Sequence, residues 1–345
     1  MDRFTLTGID PQDDWVKIKT IDMHTGGEPV RVVLEGYPLF SKASVLEYRN
    51  FFKKNQDILR QSLMLEPRGH CDMYGAIVVP SQKADFGVVF THNEGYSTMC
   101  GHATIAITKL AIDSGWIEKV EPQTKVLIEA PCGILTSYAE VVNKQVMSVS
   151  FENVPSFVVA LDQVLDIPQL GAVRYDLAFG GAFYAFVNVK DVGLKCDPMH
   201  YQKLVEAGMA IKNGIKTYGI DLVHPYEDDL SFLYGTIFIE SSDNSEVDSR
   251  NVCVFADGQL DRSPTGSGVS ARLAIHHARN ELRENHWITI ESILGTQFKC
   301  QVKELVNFSK YDAVIPIVKG NAFYTGKHEF WMDPRDPLVA GFKLK

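Results

Sequence analysis

Four short glycine-marked stations recur in the same order along the chain. Gly26-Gly27 matches Gly180-Gly181, each just ahead of an apolar stretch. Tyr74-Gly75 matches Tyr234-Gly235, Cys100-Gly101 matches Thr265-Gly266, and Gly133 matches Gly295. The offsets are 154, 160, 165 and 162 residues. One such match is noise, but four in order with a nearly constant offset describe one plan written twice, with a cleft between two pseudo-symmetric units. At 345 residues the chain holds two domains of about 150 residues, each with its own core. We expect units at 1–152 and 153–345, the extreme C-terminus packing back on the first.

Strand patterns lie at 15–21, 30–35, 74–79, 86–90, 125–130, 134–142 and 146–151. The second half repeats them at 183–189, 232–239, 251–256, 287–292, 297–304, 313–318 and 322–331. Helical patterns fall at 44–62, with Val45, Phe52, Leu59 and Leu63 setting the apolar spacing, and at 100–114, 199–218 and 266–284. Without a strict βαβ rhythm, the halves read as α+β rather than as a doubly wound sheet.

Net charge is −9, from 34 Lys+Arg against 43 Asp+Glu. This leaves no basic footprint for nucleic acid or an anionic membrane. Residues 1–15 carry acids early and no apolar signal core, and no apolar run approaches the roughly 20 residues of a membrane span. The six cysteines are scattered without a CxxC, which suits a reducing cytosol. An acidic chain that binds an anion must build a local site from backbone and a few side chains.

Two loop-to-helix junctions offer that site. A helix begins at Cys100, so the first N–H groups at Gly101 and His102 lack intrahelical acceptors and sit at the positive end of the dipole. A thiol there is expected to ionise more readily than a free one and serve as base or nucleophile. Equally, it reads as a small buried cap. The second junction feeds Gly266, Ser267 and Gly268 into a helix whose open N–H groups suit a carboxylate, with Thr265 as an ordinary N-cap in the plainer reading. Both phosphate-loop signatures are absent. Brought together, the two helix starts would hold a carboxylate without arginine, with Cys100 and Thr265 on opposite sides of its α-carbon. That arrangement suits α-proton abstraction.

The blocks Asp22-Met23-His24-Thr25-Gly26-Gly27-Glu28-Pro29, Glu66-Pro67-Arg68-Gly69-His70, Met99-Cys100-Gly101-His102 and Asp261-Arg262-Ser263-Pro264-Thr265-Gly266-Ser267-Gly268 resemble the proline racemase family nearly end to end. The resemblance implies a diaminopimelate-epimerase-like fold. In it, each half is a sheet or barrel wrapped around a central helix, and the active site lies between the halves. It also implies a cofactor-independent enzyme without metal, an imino-acid substrate and homodimers. Racemases and epimerases of that family carry a second cysteine where this chain has Thr265. The Cys/Thr pair resembles the branch that dehydrates trans-3-hydroxy-L-proline to Δ1-pyrroline-2-carboxylate. Carried over, Cys100 is the base, Gly101, His102, Gly266 and Ser267 hold the carboxylate, Asp261 faces the ring nitrogen and Thr265 orients the far face. Racemisation or 2-epimerisation is the nearest alternative. A non-catalytic amino-acid-binding protein and a cysteine hydrolase are more distant ones.

Other residues read more plainly. His24, Arg68 and His70 brace the cleft wall, and His276-His277 sit on a solvated face. Cys132, Cys196, Cys253 and Cys300 are core thiols, and Glu227-Asp228-Asp229 is a loop charge cluster. Neither the His70-Cys71 pair nor the histidine pair shows zinc-ligand spacing.

Overall fold

Two helices that are buried nearly all round organise the molecule. Buried on almost every side, α3 (Gly101–Asp113) and α5 (Gly266–Ala278) can exist only inside a wrapping of strands. The computed structural model describes residues 9–40, 43–282 and 285–344. Residues 1–8, within the stretch read as lacking a signal core, lie outside this range. So do 283 and 284, the last two of the helix expected over 266–284.

The wrapping around α3 uses β1 (Val16–Thr25), β2 (Glu28–Glu35), β3 (Gly75–Val79), β4 (Phe86–Thr91), β5 (Gln123–Ala130), β6 (Gly133–Val142) and β7 (Gln145–Glu152). Around α5 run β8 (Ser156–Ile167), β9 (Gly171–Phe179), β10 (Phe183–Asn188), β11 (Leu233–Glu240) and β12 (Ser249–Phe255). The short β13 (Gln259–Leu260), then β14 (Ile288–Glu291), β15 (Gln297–Phe308) and β16 (Tyr311–Gly320) complete that set. The pairings repeat in order. In the first half β1–β2 is antiparallel, β2–β3 parallel, β3–β4 antiparallel, β4–β5 parallel, and β5–β6 and β6–β7 antiparallel. In the second half β9–β10, β10–β11, β11–β12, β12–β14, β14–β15 and β15–β16 follow the same alternation.

Each glycine station sits at the same place in its half. Gly26-Gly27 turns between β1 and β2 and Gly180-Gly181 between their counterparts β9 and β10, and Gly133 and Gly295 stand at the β5–β6 and β14–β15 connections. The last strand, β17 (Ala322–Met332), pairs antiparallel with β1, while β16 pairs with both β7 and β8. These pairings support the division at 152/153, with β17 returning to the first half, which we propose as the domain boundary.

Local chemistry explains two departures from the expected elements. The helix expected over 44–62 is two, α1 (Val45–Asn55) and α2 (Asp57–Met64), because Gln56 leaves helical geometry at φ −135°. Ser44 and Glu47 close a capping box at the start of α1. The long hairpin β8–β9 has no counterpart among the expected strands. Register shifts at Val158/Ala160 and Ala160/Gln163, with Asp162 at φ +54°, break the two-residue period by which a strand is recognised.

The outer helix α4 (Tyr201–Tyr218) packs on β11 and β12. Among the described residues no helix is long and apolar enough to cross a membrane.

Candidate active site

The starts of α3 and α5 meet where the halves join. Gly101 and Gly266 are in backbone contact: a β-carbon on Gly101 would lie 2.5 Å from the Gly266 Cα. Each half's double-glycine turn seats against the other half's site loop, Gly26 on Ser263 and Gly181 on Met99. The Thr25 hydroxyl donates to the His102 carbonyl at 2.9 Å, fixing the first turn of α3 to β1. Around this junction Cys100, Gly101, His102, Asp261, Thr265, Gly266 and Ser267 line one small cavity. All seven residues singled out in the sequence are therefore neighbours.

Cys100 is the N-cap of α3, and its Sγ accepts from the Ala103 N–H at 3.4 Å and lies 3.1 Å from His102 Nδ1. The expectation of an easily ionised thiol does not hold for the protein by itself. Burial pushes the Cys100 thiol well above its usual value, outweighing the downward pull of the Ala103 N–H and Tyr74, and the Asp261 and Glu28 carboxyls push it further up. Burial also drops His102 to about 3, so its imidazole is neutral. Asp261 is raised to about 6 by burial, against hydrogen bonds from Thr265 and Ser263 that favour the carboxylate.

Thr265 departs from the ordinary N-cap of the plainer sequence reading. It occupies the N-cap position of α5, but its side chain caps nothing. Its backbone is at φ +67°, a strained conformation for a β-branched residue. The hydroxyl instead donates to Asp261 Oδ2 at 2.8 Å, while Asp261 Oδ1 accepts from the Ser263 N–H at 2.7 Å. A turn held this tightly aims the Thr265 side chain at the carboxyl and leaves the helix N–H groups uncapped by it.

The chain matches the proline racemase family over residues 20–343. It belongs to that family. Its relatives include the trans-3-hydroxy-L-proline dehydratase of Colwellia psychrerythraea, 48% identical, with 97% of this chain and 94% of the relative covered. The human trans-3-hydroxy-L-proline dehydratase is 42% identical, with 95% of each covered. Among solved structures, a hydroxyproline epimerase from Agrobacterium vitis with bound trans-4-hydroxy-L-proline superposes with a TM-score of 0.91. It is 32% identical, with 96% of each chain covered.

This proline racemase family member adds residues to the site that the sequence reading did not place there. Tyr74, Tyr184, Tyr234, Cys253 and Phe255 share the cavity lining. The repeat itself carried the signal for Tyr74 and Tyr234, since both stand in a matched station. Cys253, read as a core thiol, is fully buried but borders the cavity. Glu28 is buried, and its Oε2 accepts from the Arg262 N–H at 2.7 Å; Arg262 in turn bonds Asp72 at 2.8 Å.

The demoted residues stand elsewhere. His24 stacks on Phe323 and, with His70, lines a separate groove. Arg68 reaches the C-terminal tail at Asp336, Val339 and Trp331. His276 is half-buried and pairs with Glu281 at 2.6 Å rather than lying on a fully solvated face.

Proposed function

We propose that the chain is a cofactor-independent hydro-lyase that converts trans-3-hydroxy-L-proline into Δ1-pyrroline-2-carboxylate and water. One observation carries the reading: of the two pseudo-equivalent helix starts, one bears a thiol and the other a threonine whose hydroxyl is committed to Asp261 at 2.8 Å. Racemisation needs a base on each face of the α-carbon, and a threonine hydroxyl is too weak an acid or base for that work. Elimination needs only one face here. In trans-3-hydroxy-L-proline the hydroxyl lies opposite the carboxylate, and so on the same face as the α-hydrogen.

In this reading the N–H groups of Gly101, His102, Gly266 and Ser267 hold the substrate carboxylate. Asp261 accepts from the ring ammonium. That cation, entering beside a thiol held protonated by burial, favours the thiolate. Cys100 then takes the α-proton, forming S–H. The C–H electron pair becomes the Cα–Cβ double bond, the C3–O bond breaks, and the departing hydroxyl takes up one proton to leave as water, the proton on S–H restoring the site. The helix N–H groups stabilise the carboxylate as it takes on enediolate character. The enamine released tautomerises to the cyclic imine.

The reading extends to a cytosolic homodimer. All six cysteines are free thiols, as a reducing compartment keeps them, and sedimentation velocity measures the assembly. The decisive experiment incubates the protein with trans-3-hydroxy-L-proline and traps pyrroline with o-aminobenzaldehyde, with polarimetry on proline and 4-hydroxyproline in parallel. Pyrroline without loss of optical rotation is expected. Inversion without pyrroline would replace the reading with an epimerase.

A further inference from the structure

We propose that Tyr74 and Tyr234 form the subsite for the substrate's 3-hydroxyl, and that Tyr74 carries the proton that converts the leaving group to water. The inference rests on the dehydratase reading and names the acid that reading leaves open.

Both side chains are buried, at 2% and 6% exposure, and both line the cavity that Cys100 borders. Among the described residues neither phenolic oxygen makes a hydrogen bond of full geometry; the two lie near each other and near Ser97, and Tyr74 lies near the Cys100 thiol. A buried hydroxyl without a well-formed partner is costly, so two that line one cavity call for a polar guest. Tyr184, the third tyrosine of the lining, differs: its hydroxyl is 2.7 Å from the Ser267 Oγ and needs nothing further.

The rings are held in place. Tyr74 packs edge-on against His102 at 4.8 Å between centroids, and Tyr234 stacks on Phe255 at 5.4 Å. Neither phenol can swing away to find another partner without breaking these contacts.

The substrate's polar groups then sort without remainder. The carboxylate has the helix N–H groups and the ring nitrogen has Asp261, so the 3-hydroxyl is the group still unmatched. It projects from the face of the α-hydrogen, on the Cys100 side. Tyr74 stands on that side, against the ring of His102, whose Nδ1 is 3.1 Å from the Cys100 Sγ.

The proton account closes. The Cys100 thiolate removes the α-proton, and the C3–O bond breaks with its electron pair. The Tyr74 O–H proton passes to the departing oxygen, and the Cys100 S–H returns a proton to the Tyr74 oxygen. Thiolate and phenol are both restored, and water and enamine are the products. Burial holds both phenols well above their usual pKa, so each stays a donor across the working range. Tyr234 also borders the outer cleft of about 730 Å³, which offers the water an exit.

The test uses Tyr74→Phe and Tyr234→Phe in the full chain. For Tyr74→Phe we expect kcat on trans-3-hydroxy-L-proline to fall roughly 100-fold or more. Competitive inhibition by L-proline, which lacks the 3-hydroxyl, should stay within about twofold. Fluoride release from trans-3-fluoro-L-proline should fall far less than water loss, because fluoride departs without a proton. Tyr234→Phe should raise KM for the hydroxylated substrate more than it lowers kcat. A kcat within about threefold of wild type for Tyr74→Phe would overturn the proposal, as would equal losses on both leaving groups. Weakened L-proline binding would also overturn it, reducing the tyrosine to a structural part. If wild type itself forms no pyrroline, it is the dehydratase reading that fails.

Discussion

Gly101 and Gly266 meet backbone to backbone across the two halves, each so close that a β-carbon on one would fall 2.5 to 2.7 Å from the Cα of the other. No side chain fits between them. This contact brings two positive helix ends to one place, the anion site without arginine that we propose.

Gly101→Ala therefore forces the helix starts apart. Overpacking of this kind costs about 1–3 kcal/mol, and the displaced N–H groups lose their common focus. The expected outcome is a protein with a lowered melting temperature and pyrroline formation reduced roughly 100-fold, since small misplacements at a reacting centre carry penalties of that order. Calorimetry and the trapping assay read the two effects separately.

Cys100→Ser replaces the proposed base with a hydroxyl of far higher pKa at the same buried position. Turnover should fall about 100- to 10,000-fold, while L-proline still binds through the helix N–H groups and Asp261. Dehydratase activity at the wild-type level in this variant would rule out the thiol as base.

Asp261 sets the acidic limb. Its carboxyl is raised to about 6, so it is protonated and unable to hold a ring ammonium below that value, and ionised above it. The profile of kcat/KM should rise through pH 6 and continue rising on the alkaline side as the Cys100 thiol, held high by burial, gives up its proton. Asp261→Asn should abolish the limb near 6 and lower kcat/KM about 10- to 100-fold at neutral pH.

Thr265 acts on the same limb through its bond to Asp261. Thr265→Val removes a donor that favours the carboxylate, so the limb should move up by about one pH unit. Thr265→Cys places a thiol on the second face. It should lose dehydration or gain deuterium exchange into proline from that face, read by mass spectrometry and polarimetry in D2O. Unchanged exchange would count against the assigned geometry.

Arg68 holds the tail by bonds to the Trp331 and Val339 carbonyls and an ion pair with Asp336 at 3.3 Å. Arg68→Ala should cost about 1–3 kcal/mol, the penalty for stranding part-buried partners, and expose the segment after β17 to limited proteolysis at an early time point.

The legible parts of this molecule were those with a local signature. The α3 and α5 patterns carry an apolar period and start at glycine-marked junctions, so helix type and position could be read directly. The β8–β9 hairpin escaped because its bulges destroy the alternation that marks a strand. The split between α1 and α2 escaped because the break at Gln56 needs neither proline nor glycine.

By itself, the sequence determined the duplicated plan, the family, and the pair of junctions where chemistry is expected. All of these reside in the order and spacing of residues. Only the tertiary structure decided that burial overrides the helix dipole at the Cys100 thiol, that Thr265 gives its hydroxyl to Asp261 instead of capping its helix, and that Tyr74 and Tyr234 line one cavity with Cys100. Desolvation and convergence are properties of what surrounds a group on all sides. Those surroundings come from strands and turns of both halves, more than a hundred residues apart along the chain.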